Sequence, residues 1–321
     1  MKYKTISHNL FSCVSLLQDG QFHLGDKLGE TLGMSRTGVW KIMNVLKDYG
    51  VEIEVNKSEG YRLRQSLILL DSEKILQGLE KKIPVDVFEF VTSTNDYLLS
   101  MNIETAPRVC IAEYQTAGRG RFVRSWQAPF GQSILLSYLY PCYEDVSTLT
   151  GLSLMIAVSL ASVINHPDLK IKWPNDLYLN NKKLAGILIE VRAQSHAETK
   201  VVIGIGININ NNFDSNQKLG LDGLAASLSG VINKNLDRNK LIINLLNQLE
   251  KDLIIFKQKG LPAFLEKFEK LDYLKGQEIT LTQHQNKHTG IMMGIDSKGA
   301  LLIKENDEVK SFSAGDTSLA V

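Results

Sequence analysis

The sequence predicts a mixed α/β (α+β) chain headed by a winged helix-turn-helix, and three observations carry that prediction. Two short amphipathic stripes separated by a glycine lie between Leu24 and Lys47. Directly after them, VEIEV and YRLR alternate in strand period on either side of the turn NKSEG. Beyond residue 66, strand-like segments such as RVCIAEYQ and VVIGIGININ are interleaved with polar clusters that open helices. Composition leaves room for two or three domains, because 321 residues at 44 % hydrophobic and 22 % charged is ordinary globular usage.

The net charge of +1 carries no global polyanion signal, so any contact with nucleic acid has to come from a local patch. Cys13, Cys110 and Cys142 are few, odd in number and widely spaced. That argues against a disulfide framework or a thiolate metal site and suits a reducing, cytoplasmic location. The opening MKYKTISHNLFSCVSLL is interrupted by His8, Asn9 and Ser12, and no long apolar run is read elsewhere. Neither a signal peptide nor a membrane span is expected.

In the first domain Leu24, Leu28 and Leu32 share one helical stripe, and Gly33 stands where a C-terminal cap belongs. Ser35 then caps a second helix whose Val39, Ile42, Met43 and Leu46 recur at i, i+3, i+4 and i+7. Its other face carries Arg36, Thr37, Trp40, Lys41, Asn44 and Lys47. In a helix-turn-helix that face enters the major groove, where Asn44 and Arg36 read base edges and Lys41 and Lys47 hold phosphates. The hairpin is the wing. Ser35, Arg36, Thr37, Trp40, Lys41 and Asn44 are the candidate DNA contacts. Residues 1–66 hold nine Lys or Arg against seven Asp or Glu, an excess of two, so tight binding calls for a dimer. Gly38 weakens the reading helix by about 1 kcal/mol of propensity.

The second domain, from residue 67, carries the chemistry. FEFVTSTNDYLLS reads as a strand, then Thr92, Ser93, Thr94 and Asn95 opening a helix. Such a cluster either caps the helix or offers a compact donor and acceptor set to a small polar head group. RVCIAEYQ then delivers TAGRGRFVRSW onto a loop, where Gly118 and Gly120 allow close backbone approach. The guanidinium forks of Arg119, Arg121 and Arg124 match carboxylate or phosphate oxygens. Trp126 offers a face on which a base can stack. LKIKWPNDLYLNNKKLAGILIEVR places Lys172, Asn175 and Asp176 at the end of one strand and turns through Asn180 and Asn181 into Lys183 and a second strand. The two lysines neutralise oxyanions in this reading, and Asp176 suits a magnesium ion held partly by substrate phosphates.

Several alternatives drop out. GIG in VVIGIGININ lacks the third glycine and following helix of a dinucleotide fingerprint, and no GxxxxGK[ST], HExxH or GxSxG occurs. His284 and His288 stand four apart with strand and turn flanks, which does not make a metal site. What remains is three arginines, two lysines, an aspartate and a tryptophan around a small-molecule pocket, a set suited to adenylate formation on a carboxylic acid.

ETLGMSR, STN, CIAEYQTAGRGR, KWPNDLYL, KLAGILIE, GIGIN and KLD, in this order along almost the whole chain, resemble the bifunctional biotin protein ligases that double as biotin operon repressors. The resemblance implies a winged helix (1–66), a class II synthetase-like α/β catalytic domain (67–270) and an SH3-like small β-barrel (271–321). Alternation in EITLT and ALLIK around DSKG agrees with the last of these. It implies an ATP-dependent, AMP-forming ligase that makes biotinyl-5′-AMP and passes biotin to a lysine of biotin carboxyl carrier protein. Catalysis falls to Arg119, Arg121 and Lys183. Ser93, Thr94, Asn95 and Gln115 face the biotin head group, and Arg119, Gly120, Arg121 and Lys183 its carboxylate and the phosphate. Arg121, Arg124, Trp126, Asn175 and Asp176 serve the nucleotide, with Trp126 over adenine and magnesium arriving with ATP; no resident metal is implied. As corepressor the adenylate favours a homodimer on operator DNA, which requires tighter binding to the dimer-competent state. Phe122 and Val123 depart from the resemblance, since a further glycine is expected there, and predict a stiffer loop. A monofunctional ligase, a non-catalytic biotin sensor and lipoate as the acid are the alternative readings.

Overall fold

The computed structural model describes residues 2–101, 106–142, 145–193, 199–211, 225–232, 236–283 and 285–319. His284 and the side chain of Val123 lie outside them.

The N-terminal unit is three helices and a hairpin: α1 (Lys2–Leu17), α2 (Gly25–Leu32), α3 (Arg36–Asp48), β1 (Ile53–Asn56) and β2 (Gly60–Leu63). Gly33 takes the left-handed conformation (φ 64°) that ends α2, and the Ser35 hydroxyl accepts the Gly38 N–H to start α3. Val39, Ile42, Met43 and Leu46 are all buried, while Trp40 on the opposite face is 55 % exposed. Leu24 sits outside α2 as its N-cap residue and is exposed, so the stripe begins at Leu28. The charged opening segment forms α1, whose Leu10, Cys13, Val14 and Leu17 fill the same core.

Next come α4 (Ser72–Gly78), capped by the Asp71 carboxylate, then β3 (Val85–Val91), α5 (Thr94–Ser100), β4 (Arg108–Gln115), β5 (Ser133–Cys142) and α6 (Leu152–Ile164). They are followed by β6 (Leu169–Lys172), β7 (Asp176–Leu179), β8 (Lys182–Ala193), β9 (Thr199–Asn208), α7 (Leu228–Ile232), α8 (Arg238–Lys259) and α9 (Leu265–Leu271). The seven strands form one sheet in the order β3-β4-β5-β9-β8-β7-β6, parallel only between β3 and β4. The stretch read as two strands around Asn180 and Asn181 is three, because the chain turns back around Pro174, which has no N–H to donate to a ladder, and β6 and β7 pair as a hairpin. Ser147–Ile164 is an apolar run of membrane-span length that the sequence reading passed over; its helical part, α6, is buried against the sheet and α8.

The chain ends in a five-stranded antiparallel sheet, β10 (Glu278–Gln283), β11 (Asn286–Ile295), β12 (Leu301–Glu305), β13 (Glu308–Phe312) and β14 (Asp316–Leu319), ordered β13-β12-β11-β10-β14. Its buried Ile279, Leu281, Met292, Leu301 and Ile303 belong to the catalytic sheet's own core cluster. Trp173 ties the two together, its indole N–H donating to Gly299 O (2.9 Å) and its carbonyl accepting from Thr317 Oγ1 (3.0 Å). The winged helix docks at the other side through rings of Tyr49, Phe90, Tyr114 and Phe130, with Phe130 N–H donating to Tyr49 O (2.9 Å).

Candidate active site

The alternation of β9 builds the site. Ile203, Ile205 and Ile207 point into the core beneath α6 and α8, so Gly204, Gly206 and Asn208 face the other way. Register places Ser137 opposite Gly204, Gly186 opposite Gly206, Asp176 opposite Gly186 and Lys172 opposite Asp176 on that same face. A register shift at Leu177/Tyr178 pairs Tyr178 with Lys183, and this bulge turns Lys183 onto the face that carries Asp176. Above the sheet lies a cavity of about 390 Å³. Ser93, Thr94, Asn95, Gln115, Arg119, Gly120, Arg121, Arg124, Trp126, Asn175, Asp176 and Lys183 line it, while Lys172 stands on the same sheet face opposite Asp176, outside the lining.

One end of the cavity is neutral and polar. The Gln115 carbonyl accepts from the Thr94 N–H (2.8 Å) and hydroxyl (3.0 Å), and the Ser137 hydroxyl lies 2.7 Å from Thr94 Oγ1 and 2.5 Å from Asn95 Oδ1. Ser93 caps α5 through Asp96 N–H, so capping and ligand roles coexist on one cluster. The glycines there are space: a Cβ on Gly204 would stand 2.5 Å from Asn95 Oδ1, and one on Gly206 2.5 Å from Trp126 Cε2.

In the middle lies Trp126, its indole against Gly186 and Gly206, with Nε1 buried and without a partner. The ring rests on the cavity floor because two glycines leave no side chain beneath it.

The far end is cationic. Lys183 Nζ lies 2.7 Å from Asp176 Oδ2 and 5.7 Å from the centre of the Trp126 ring, while Asp176 Oδ1 is buried with no partner. Arg121 reaches Asn175 Oδ1 (3.3 Å) and stacks on Phe122 (4.9 Å). Desolvation lowers the pKa of both Arg121 and Lys172 against the pull of Asp176 and Asp316. Both therefore stand ready to gain from an incoming anion. Arg124 pairs with Asp316 of β14, which brings the C-terminal sheet to the cavity.

Arg119 departs from its assignment to the carboxylate and phosphate end. Its guanidinium is bidentate to Asp96 (2.5 and 2.6 Å) and also bonded to Glu190 (3.1 Å), beside the polar end. The Arg119 bond holds the Asp96 carboxyl below its usual range. The loop from Gly118 to Trp126 closes as a hairpin, with Trp126 N–H on Gly118 O and Gly120 N–H on Arg124 O. Phe122, where a glycine was expected, takes the left-handed conformation (φ 53°, ψ 37°) at its tip.

Sequence reasoning missed Ser137, Gly186, Gly204, Gly206, Asp96, Glu190 and Asp316 as site residues. The alternation of isoleucine with glycine in IGIGIN was a usable signal for two of the glycines; Asp316, remote in the chain, had none. On the winged helix, Arg36 pairs loosely with Asp26 (3.6 Å) and Lys41 and Lys47 are exposed beside Trp40. Among the described residues no group of three or more His, Cys, Asp or Glu could hold a metal ion.

Comparison with known proteins identifies the family. The Biotin/lipoate A/B protein ligase family matches residues 87–208, the Biotin protein ligase C terminal domain residues 275–319 and an HTH domain residues 10–62. The bifunctional ligase/repressor BirA of Escherichia coli (strain K12) is 37 % identical over 323 residues, 99 % of this chain and 98 % of that protein. The protein of the same name from Bacillus subtilis (strain 168) is 30 % identical over 93 % of this chain and 94 % of its own. Biotin protein ligase from Aquifex aeolicus in complex with biotin and ATP superposes with a TM-score of 0.63 at 28 % identity, covering 74 % of this chain and 98 % of that one. The chain belongs to the bifunctional ligase/repressor family of biotin protein ligases.

Proposed function

We propose that this protein is an ATP-dependent ligase joining biotin to biotin carboxyl carrier protein, and a repressor of biotin synthesis genes with biotinyl-5′-AMP as corepressor. The observation that carries the chemistry is the order of one cavity: neutral donors and acceptors, then an indole, then cations. That order matches an elongated acid with a polar head, an apolar chain and a carboxylate.

The ureido head sits among Ser93, Thr94, Asn95 and Gln115, the chain passes Trp126, and the carboxylate meets Arg121 and Lys183. A carboxylate oxygen attacks the α-phosphorus of ATP, a P–O bond forms, and the bond to the β-phosphate breaks with pyrophosphate taking the electron pair. Two anions must meet, so catalysis is positioning and charge stabilisation by preset cations. Arg121, Arg124 and Lys172 hold phosphate oxygens, and Lys183 stabilises charge at the reacting centre. Asp176 and Asn175 would hold a magnesium ion brought by ATP, which would offset phosphate charge; a buried carboxylate oxygen without a partner fits that use. In the second half-reaction the neutral amine of the carrier's lysine attacks the acyl carbon, the amide forms and AMP leaves. Adenylate-dependent homodimerisation, operator binding through Arg36, Lys41 and Asn44, a cytoplasmic location and divisions near residues 66 and 270 belong to the same proposal.

Biotin-dependent exchange of labelled pyrophosphate into ATP tests the first half-reaction. Exchange is expected only with biotin and magnesium present, and Arg121→Ala and Lys183→Ala are each expected to slow it by roughly 10²- to 10³-fold. Wild-type rates in both variants overturn the assignment.

A further inference from the structure

Among the described residues Arg119 alone lines both the ligand cavity and a second cleft behind it, whose other walls are Asp96, Leu99, Ser100, Glu190, Val191 and Arg192. Between the two spaces stands the ion cluster already described, with Arg119 bidentate to Asp96 and bonded to Glu190. Glu190 also accepts from Asn95 Nδ2 (2.7 Å), whose amide oxygen in turn lies 2.5 Å from Ser137. The cluster therefore reaches from the head-group residues to the cleft without a break. Both carboxylates come from rigid elements, Asp96 from the first turn of α5 and Glu190 from β8, while the arginine comes from the loop.

We propose that Asp96, Arg119 and Glu190 form the end wall of the head-group pocket and decide how large a head group the enzyme takes. The inference rests on the biotin reading above. A guanidinium held by three or more bonds is a poor mobile cation for phosphate and a good fixed partition. Glu190 is a positioning residue: by holding Asn95 Nδ2 it keeps Asn95 Oδ1 aimed along Ser137 and the pocket. Removing either carboxylate loosens the arginine, which keeps only its bonds to the other, and opens a way from the pocket to the cleft of about 550 Å³ behind it.

The test compares biotin with biotin methylated on one ureido nitrogen, each isomer in turn, in the full-length protein and in Asp96→Ala, Glu190→Ala and Asp96→Glu. The methyl removes one donor in every enzyme, so in Asp96→Ala, where Glu190 still holds Asn95, a difference from wild type reports space, while Glu190→Ala adds the release of Asn95. For the two alanine variants the KM for biotin is expected to rise about tenfold with kcat within twofold, and at least one methylated isomer to gain tenfold or more in kcat/KM relative to biotin. Asp96→Glu is expected to restore wild-type selectivity. If kcat falls with KM and the ratio between acids stays fixed, the cluster is only structural and the proposal fails; if nothing changes, it also fails. Thr94→Val separates this from failure of the biotin reading itself. A raised KM for biotin in Thr94→Val with unchanged selectivity in the Asp96 and Glu190 variants sinks the end-wall proposal alone, whereas an unchanged KM in Thr94→Val removes the reading on which it rests.

Discussion

Gly206 marks how closely the site is built to one shape, since the nearest atom to a Cβ there would be Trp126 Cε2 at 2.5 Å. Gly206→Ala is expected to push the indole into the cavity and weaken biotin binding. Overpacking of this kind costs about 1–3 kcal/mol, roughly 5- to 150-fold in affinity. Titration calorimetry with biotin checks it, and unchanged affinity would show that the ring does not border the ligand. Lys172 offers a second test, because desolvation sets its pKa below that of an ordinary lysine. Its cation is present below that lowered pKa and lost as pH rises through it. The kcat/KM for ATP is therefore expected to fall on the alkaline side before the usual lysine range, with Lys172→Arg flattening that limb; an identical profile in the variant would exclude Lys172 from the nucleotide site. Side-chain type made most of these positions legible, because arginines, lysines and an STN cluster on glycine-flanked loops have few other uses together. Arg119 was misplaced for a physical reason: sequence shows a cation but not Asp96 and Glu190 closing on it from two other elements.

At the level of elements, the link between the winged helix and the catalytic sheet depends on a buried pair. Arg238 at the start of α8 is 0 % exposed and Glu113 on β4 is 1 % exposed, with 2.6 Å between them. Arg238 also donates to Ile68 O and Ser133 O, and Glu113 accepts the Leu70 N–H, so the pair fastens the connecting segment to the sheet. Glu113→Gln leaves a buried guanidinium without its counter-charge and is expected to lower stability by about 3–5 kcal/mol in urea unfolding. A loss under about 1 kcal/mol would mean the segment is held by its apolar contacts instead. The pair was not legible because its members lie far apart in sequence. Helix α1 is legible in the period of Leu10, Cys13, Val14 and Leu17, which recur at i, i+3, i+4 and i+7, although the interrupting His8, Asn9 and Ser12 mask it. The β7–β8 bulge that aims Lys183 shows the opposite limit, since period alone assigns that lysine to the wrong face.

For the molecule as a whole, helix, sheet and small β unit meet around one loop. Tyr49 and Gly50, at the end of the reading helix, receive hydrogen bonds from Phe130 and Gln132 just past Trp126, and Asp316 reaches the loop from the far side. One flanking unit thus touches the segment just past this loop and the other touches the loop itself. With only a small excess of positive charge on the winged helix, operator binding is expected to need the adenylate and to weaken steeply with salt. Lys41→Ala and Lys47→Ala should each flatten the plot of log K against log salt by about one phosphate contact per half-site; slopes equal to wild type would remove both residues from the backbone contacts. Every one of these expectations depends on the ligase activity. It is tested most directly by intact-mass spectrometry of a biotin carrier domain incubated with this protein, ATP and magnesium, with biotin in one tube and lipoate in another. A gain of one biotinyl group that requires ATP is expected, with no gain from lipoate. A carrier of unchanged mass in the biotin tube, or modified only by lipoate, would contradict it.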